Sequence, residues 1–199
     1  NSIKSKLFSP SDIQSIMKKA IVERLKGIYG ISWFPEDGPE FPIRVAFMKD
    51  VALIGIDTSG VSLHKRGYRQ MTVKAPITET LASALLMLTP WKKDRILVDP
   101  FCGSGTFPIE AAMMAADMAP GMNRSFLAES WEHLIPKTCW EDAREEAEDR
   151  MNPDIETDIQ GFDIDAGAIK AARANAKMAG VDKLIHFQQR PVSELRHSK

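Results

Sequence analysis

The octapeptide Asp99-Pro100-Phe101-Cys102-Gly103-Ser104-Gly105-Thr106 joins an apolar run to a segment rich in Ala and Met. The run Arg95-Ile96-Leu97-Val98 is short and β-branched, which predicts a buried parallel strand, and residues 107–119 predict a helix. The octapeptide is therefore predicted to be a glycine-rich turn from strand to helix. Gly103 and Gly105 let the backbone turn tightly and approach a ligand, while the first N–H groups of the helix can bind an anionic or polar group.

Residues in and around the octapeptide exclude two other nucleotide-binding loops. Pro108 stands where the third glycine of a dinucleotide fingerprint would be, and the octapeptide lacks the Gly-Lys-Ser/Thr of a phosphate loop. Asp99 ends the predicted strand, which is where open α/β sheets place ligand contacts. A G-x-G spacing alone also occurs in ordinary strand-to-helix turns, so the ligand interpretation depends on the other residues of the octapeptide.

The composition, 44% hydrophobic and 27% charged over 199 residues, is typical of a globular protein with one medium or two small domains. The sequence contains no run of about 18 apolar residues and no apolar signal core near Asn1, so we expect neither a membrane span nor secretion. Cys102 and Cys139 are too few for a disulfide framework or a zinc site. We therefore expect a cytoplasmic protein without a metal.

The first 60 residues predict one helix and one β-hairpin. Ser9-Pro10-Ser11-Asp12 is typical of a helix start, and apolar residues recur at helical spacing as far as Leu25. Residues 41–48 and 51–56 predict two strands around a turn at Lys49-Asp50. A helix and a hairpin are too little for an independent core, so this region is expected to be the end of a larger domain.

A basic segment follows the hairpin. Residues 1–75 carry 12 Lys and Arg against 7 Asp and Glu, and the rest of the chain is net acidic. Residues 64–74 contain four cations, a tyrosine and no acid. Such a segment can bind phosphates and stack a base, although a solvated linker has the same composition. The candidate RNA contacts are Lys65, Arg66, Tyr68, Arg69 and Lys74.

Two further strands are predicted after a charged helix at residues 138–151. Residues 158–163 form the first, and Asp163 at its end is placed to accept both hydroxyl hydrogens of a ribose. Asp165 is expected to cap the next helix, residues 166–179. Either acid could instead be an ordinary surface residue. Residues 184–188 predict the other strand.

The octapeptide resembles the cofactor loop of S-adenosylmethionine-dependent amino-methyltransferases, and more closely that of the THUMP-domain RNA methyltransferases. The sequence D-T-S-G-V-S-L-H-K-R-G-Y-R at residues 57–69, followed by A-P-I-T-E-T-L-A at residues 75–82, is similar to the junction between the two domains of that family. The resemblance covers nearly all 199 residues. It implies an α/β, Rossmann-like class I methyltransferase domain, present as the first half of its sheet, preceded by the α+β end of a THUMP-like domain.

The resemblance also implies domain bounds and roles. Residues 1–60 would be the end of the THUMP-like domain, residues 61–75 a basic junction, and residues 76–199 the start of the methyltransferase domain. The implied partners are S-adenosylmethionine and RNA, with ribosomal RNA as the implied substrate and an exocyclic base nitrogen as the methyl acceptor. The implied cofactor-binding residues are Asp99, Pro100, Phe101, Cys102, Gly103, Ser104, Gly105, Thr106, Asp163, Ile164 and Asp165.

The sequence departs from the family pattern at two places. Gln188, Gln189 and Arg190 stand where such enzymes often carry an Asp for the adenine, so the adenine contact stays unassigned. The Asn/Asp-Pro-Pro-Tyr motif that orients the target amine is absent from the 199 residues, and we expect it after Lys199. The chain is thus expected to hold the cofactor half of the site, to contain no catalytic residue of its own, and to be inactive alone.

Two alternative functions stay open at this point. One is a DNA amino-methyltransferase, and the other is a nucleic-acid-binding module whose cofactor fold has degenerated. The oligomeric state is not indicated. Cys102 lies in the octapeptide without neighbours that would activate a thiolate, so we interpret it as a small residue in a tight space rather than as a nucleophile.

Overall fold

The computed structural model describes residues 2–71 and 76–196, and the chain divides into two units. The first unit comprises Asn1–Gly60 with Phe126–Trp131, and the second comprises Val61–Ser125 with Glu132–Lys199. Within the described residues, no helix is both long enough and apolar enough to cross a membrane.

The first unit contains a helix and a three-stranded sheet. Its elements are β1 (Ser2–Ile3), α1 (Pro10–Tyr29), β2 (Ile43–Met48) and β3 (Val51–Ile56), and the strand order is β1-β2-β3. The predicted hairpin is confirmed, since β2 and β3 are antiparallel with Met48 opposite Val51. Lys49 and Asp50 both have positive φ, 51° and 62°, as the two-residue turns that suit right-twisted hairpins require. The two-residue strand β1 was not predicted.

The cap of α1 agrees with the sequence. Ser9 has extended backbone, and its hydroxyl accepts a hydrogen bond from the Asp12 N–H at 3.4 Å. Gly30 closes the helix in the left-handed conformation, with φ 66°. Both ends of the predicted helix are therefore confirmed to within a few residues.

A segment from the middle of the chain belongs to the first unit. The sequence interpretation places residues 76–199 in one domain, whereas the structure groups Phe126–Trp131 with residues 1–60. The N–H of Ala128 donates to the Thr58 carbonyl at 3.0 Å, and the Trp131 indole donates to the Glu40 carbonyl at 2.8 Å. The Trp131 ring also stacks on Phe41, with 4.6 Å between centroids. These contacts join residues about 70 to 90 positions apart, which no local pattern indicates.

The second unit has three parallel strands with helices between them. Its elements are α2 (Glu79–Leu88), β4 (Leu97–Asp99), α3 (Thr106–Ala115), α4 (Lys137–Arg150), β5 (Ile159–Asp163), α5 (Ala166–Ala179) and β6 (Ile185–Gln189). The strand order is β4-β5-β6, and both pairs are parallel. This arrangement confirms the predicted α/β fold. It also brings the carboxyl ends of β4 and β5 to one edge, with Asp99 opposite Gly161.

Small side chains let the helices pack closely on this sheet. Ala111 and Ala112 of α3 and Ala172 and Ala176 of α5 are all at most 3% exposed. They pack in one core with larger residues from the strands and helices, Ile109, Ile159, Ile169, Ile185 and Phe187. The octapeptide between β4 and α3 is therefore held on a rigid, fully packed base.

The free side of β4 is apolar. In the described part of the chain β4 pairs only with β5, and Leu88 of α2, beside this edge, is 83% exposed. Leu85, Leu97, Val98 and Phe107 line a groove of about 490 Å³ there. An unpaired apolar strand edge promotes association with other chains.

We therefore expect the 199-residue chain, produced alone, to self-associate. Sedimentation velocity over a range of concentrations should show oligomers. Val98→Lys, which places a charge on the edge strand, should shift the population toward monomer. Met178→Lys, a similar change at an exposed position of α5, is the control and should have no effect. A monomeric wild-type chain at all concentrations would contradict the expectation.

Candidate functional site

The octapeptide forms a tight turn held by backbone hydrogen bonds. The Cys102 N–H donates to the Phe162 carbonyl at 2.8 Å, which ties the turn to β5, and the Gly105 N–H donates to the Cys102 carbonyl at 2.8 Å. Gly103 and Gly105 have φ of 53° and 84°, in the left-handed region that favours glycine. The predicted strand, turn and helix are thus confirmed.

Gly105 is required by packing as well as by its φ. A Cβ at this position would lie 3.0 Å from the Cβ of Ala172 and 3.0 Å from the ring of Phe187. The sequence interpretation assigned this glycine to close approach by a ligand. In the structure the position that a Cβ would take faces the core of the unit, so a side chain here would push against α5 and β6.

Two carboxylates lie at the ends of neighbouring strands. One oxygen of Asp163 accepts a hydrogen bond from the Gly103 N–H at 3.0 Å, and the other accepts one from the Asp165 N–H at 3.0 Å. Asp99 accepts from the Phe101 N–H at 3.1 Å. Burial raises the pKa of Asp99, and the negative charge of Asp163 raises it further. Asp163 therefore orders the octapeptide and concentrates negative charge at the strand ends.

The other predicted cofactor residues divide into exposed and buried groups. Phe101 and Ile164 are 72% and 70% exposed, so they offer two apolar surfaces beside Asp99 and Asp163. Asp165 caps α5 as predicted, because its carboxylate accepts from the Gly167 N–H at 2.7 Å.

Ser104, Thr106 and Cys102 are buried. The hydroxyls of Ser104 and Thr106 accept hydrogen bonds from Arg69, at 3.2 and 2.9 Å. Cys102 is 6% exposed, and burial raises the pKa of its thiol to about 12. A thiol in this state is not a nucleophile near neutral pH, in agreement with its interpretation as a space-filling residue.

Most of the predicted RNA contacts point into the second unit. Tyr68 is completely buried, and its hydroxyl donates to Glu110 at 2.9 Å, so the prediction that it stacks on a base is wrong. Arg66 forms an ion pair with Glu110 at 3.5 Å, and Arg69 forms one with Glu79 at 2.8 Å. Internal carboxylates thus pair with both guanidinium groups, which disfavours the predicted phosphate contacts of these arginines.

The two remaining cations differ from these. Lys65 is exposed and stays a candidate for an RNA contact. Lys74 lies outside the described residues. The sequence interpretation does not identify Glu79 and Glu110, which hold the two arginines in place. It also does not identify Asn175, which binds the backbone of Gln70, Met71 and Ser104. Their only sequence signal is that Glu110 and Asn175 are polar residues in alanine-rich helices.

The end of β6 also contacts Asp163. The Arg190 N–H donates to the Asp163 carbonyl at 2.9 Å, and the Gln189 side chain donates to the Ile164 carbonyl at 3.0 Å. No group of three or more His, Cys, Asp or Glu side chains among residues 2–71 and 76–196 is arranged to hold a metal ion.

Comparison with known protein families gives two matches that follow each other along the chain. Residues 66–199 match the model of the RMKL-like methyltransferase domain. Residues 1–57 match the model of the THUMP domain. Together the two matches cover nearly the whole chain.

Individual proteins are similar over long stretches. A protein named putative RNA methyltransferase YpsC, from Bacillus subtilis, is 49% identical over 195 residues, which is 97% of this chain and 50% of that protein. The ribosomal RNA large subunit methyltransferase K/L of Vibrio parahaemolyticus is 42% identical over 164 residues, which is 80% of this chain and 23% of that protein.

A solved structure is also similar. SMU.472, described as a putative methyltransferase complexed with SAH, superimposes with a TM-score of 0.91 at 42% identity, over 100% of this chain and 52% of that one. The chain thus spans about half the length of two of these relatives and about a quarter of the third.

Proposed function

The chain belongs to the RMKL-like methyltransferase family, with a THUMP domain before the methyltransferase part, and from that premise we propose that it binds S-adenosylmethionine for methyl transfer to RNA. The main support for the proposal is the arrangement at the carboxyl ends of β4 and β5. There Asp99 and Asp163 both bind backbone N–H groups of the glycine-rich turn. The solved relative that holds SAH, the demethylated product of this cofactor, supports the same ligand.

The residues present fit such a cofactor. The Asp163 carboxylate retains lone pairs beyond its two backbone hydrogen bonds, and these suit the two hydroxyls of a ribose. Ile164 and Phe101 expose flat or branched apolar surface next to it, which suits a purine ring. The negative charge at Asp99 suits the cationic end of the cofactor. When bound, the cofactor would supply an activated methyl group on a sulfonium.

RNA is the proposed substrate because two observations favour it over DNA. The first 57 residues match a THUMP domain, and the two curated relatives are named RNA methyltransferases. Ribosomal RNA, with an exocyclic base nitrogen as acceptor, is the finer proposal, and the name of the Vibrio relative supports it. The 199 residues contain no Asn/Asp-Pro-Pro-Tyr sequence. In this proposal they provide cofactor binding, and the groups that orient the target amine lie elsewhere in the protein.

The experiment is methyl transfer by the full-length gene product. Tritium-labelled S-adenosylmethionine is incubated with the protein and either ribosomal RNA, transfer RNA or duplex DNA, each isolated from cells that lack the gene. We expect label in ribosomal RNA. Label in DNA alone would show a DNA methyltransferase, and cofactor binding without transfer to any nucleic acid would show a module without catalysis.

A prediction with a smaller expected effect concerns Lys65 in the basic junction. Lys65→Glu in the full-length protein should weaken RNA binding and reduce the slope of log K against log salt by about 0.7 to 0.9, the value for one phosphate contact. Fluorescence anisotropy at several salt concentrations measures it. Lys93→Glu, at another exposed lysine of the second unit, is the charge-matched control. Equal slopes for the two variants would show that Lys65 lies in a solvated linker.

A further inference from the structure

Residues 66–71, called the strap below, contact the glycine-rich turn through the side chain of Arg69. The Arg69 side chain makes four hydrogen bonds, two of them to the octapeptide. Its Nε donates to the Glu79 carboxylate at 2.8 Å, and its Nη2 donates to the Ile77 carbonyl at 3.0 Å. The remaining two bonds are those to the hydroxyls of Ser104 and Thr106. One guanidinium group therefore connects the strap, the start of α2 and the octapeptide.

Asn175 of α5 holds the same turn from a second direction. Its side-chain oxygen accepts from the N–H groups of Gln70 and Met71, both at 3.1 Å. Its side-chain nitrogen donates to the Met71 carbonyl at 2.9 Å and to the Ser104 carbonyl at 3.1 Å. Ser104 is thus fixed at its hydroxyl by Arg69 and at its carbonyl by Asn175.

The network is buried and its charges are matched. Asn175 is 0% exposed, Ser104 and Thr106 are each 3% exposed, and the side chains of Glu79 and Arg69 are 4% and 13% exposed. A buried polar network is stable only when its members are satisfied, and it then fixes the geometry of the groups it touches. The groups that this network fixes are Ser104 and Thr106. Gly103, in the same turn, is held separately by Asp163.

We propose that Arg69 is a positioning residue for the cofactor loop, residues 99–106, and not a phosphate contact. Its hydrogen bonds to Ser104 and Thr106 hold the loop in the shape that binds the cofactor. The proposal rests on the proposed function, because the loop is taken to bind S-adenosylmethionine. It explains why an arginine is suited to this position. A planar guanidinium directs several donors in fixed directions at once, whereas a lysine ammonium carries the same charge on a flexible stem and cannot reproduce the four contacts.

The decisive variant is Arg69→Lys in the full-length protein, because it keeps the charge and removes the planar fork. Calorimetry with S-adenosylhomocysteine should show a dissociation constant raised about tenfold, the effect of losing one hydrogen bond to a charged group. RNA affinity and its salt slope should stay as in the wild type. The opposite pattern, with normal S-adenosylhomocysteine affinity and altered RNA binding, would make Arg69 a phosphate contact and overturn the proposal.

Arg66→Lys is the matched control for a merely structural role. Arg66 is buried to the same degree and also pairs with a buried glutamate, but its partners are Glu110 and the Leu63 carbonyl, outside residues 99–106. Urea unfolding should show that both variants are destabilised, while only Arg69→Lys loses cofactor affinity. Equal effects of the two variants on the dissociation constant would overturn the proposal.

A second pair of variants covers the case in which Arg69→Lys does not fold. Glu79→Gln keeps the size of the partner of Arg69 and removes its charge, and Glu110→Gln is the corresponding change for Arg66. Glu79→Gln is expected to weaken S-adenosylhomocysteine binding and Glu110→Gln to leave it unchanged. The reverse order would overturn the proposal. A wild-type protein that fails to bind S-adenosylhomocysteine would overturn the proposed function itself, which distinguishes that failure from this one.

Discussion

Asp163→Asn is expected to raise the dissociation constant of the full-length protein for S-adenosylhomocysteine by about a hundredfold, which corresponds to two charge-assisted hydrogen bonds. The substitution keeps the shape of the side chain. It removes the charge that suits ribose hydroxyls. In addition, the NH₂ of the new amide would face one of the two backbone N–H groups, of Gly103 or Asp165, that now donate to the carboxylate. The loss therefore combines a lost ligand contact with a loosened turn.

Asp158→Asn is the control for this prediction. Asp158 immediately precedes β5, at the opposite end of the strand from Asp163, and it is exposed. The two substitutions change the net charge equally, so a difference between them reports position alone. Calorimetry gives the two dissociation constants. If both variants bind S-adenosylhomocysteine like the wild type, the ends of β4 and β5 do not form the cofactor site.

Gly105→Val is expected to destabilise the protein by about 2 to 5 kcal/mol, the sum of left-handed backbone strain and overpacking. The φ of 84° disfavours any L side chain, and the new Cβ would lie 3.0 Å from both Ala172 and Phe187. The upper part of this range reaches the lower end of the stability of typical domains, about 5 kcal/mol, so the yield of folded protein should fall. Loss of the ligand with an intact fold is therefore not the expected result of this substitution.

Gly180→Val separates the two contributions. Gly180 has a φ of 74°, close to that of Gly105, but a Cβ there would meet nothing within 4 Å. Gly180→Val should therefore show the backbone strain alone, about 1 to 2 kcal/mol. Urea unfolding of both variants gives the difference. Equal destabilisation would mean that Gly105 is not held against the core as the structure places it.

The parts of the fold that the sequence predicts are those governed by local pattern. The strand, turn and helix around the octapeptide, the hairpin at Lys49-Asp50 and the cap at Asp165 each depend on neighbouring residues, and each is confirmed. The three predicted strands of the second unit also lie side by side and parallel, as expected when helices connect successive strands.

The parts that the sequence does not predict depend on distant partners. The cations at Arg66 and Arg69 have the composition of an RNA-binding loop, and only the folded chain shows that Glu110, 44 positions away, and Glu79 neutralise them. The placement of Phe126–Trp131 in the first unit depends in the same way on contacts with residues near Glu40 and Thr58. A charge run in a sequence thus indicates where cations are, but not whether they face solvent.

The hydrogen bonds of Asn175 have a consequence for biosynthesis. They connect residues separated by 71 to 105 positions, so the loop that must close before they form is long. Contacts of such high sequence separation form late and slowly relative to local helices and turns. On a translating ribosome, the segment around Ser104 emerges well before α5 exists to hold it. The cofactor loop is therefore expected to become competent only after residue 175 has been synthesised, whatever the concentration of cofactor around the nascent chain.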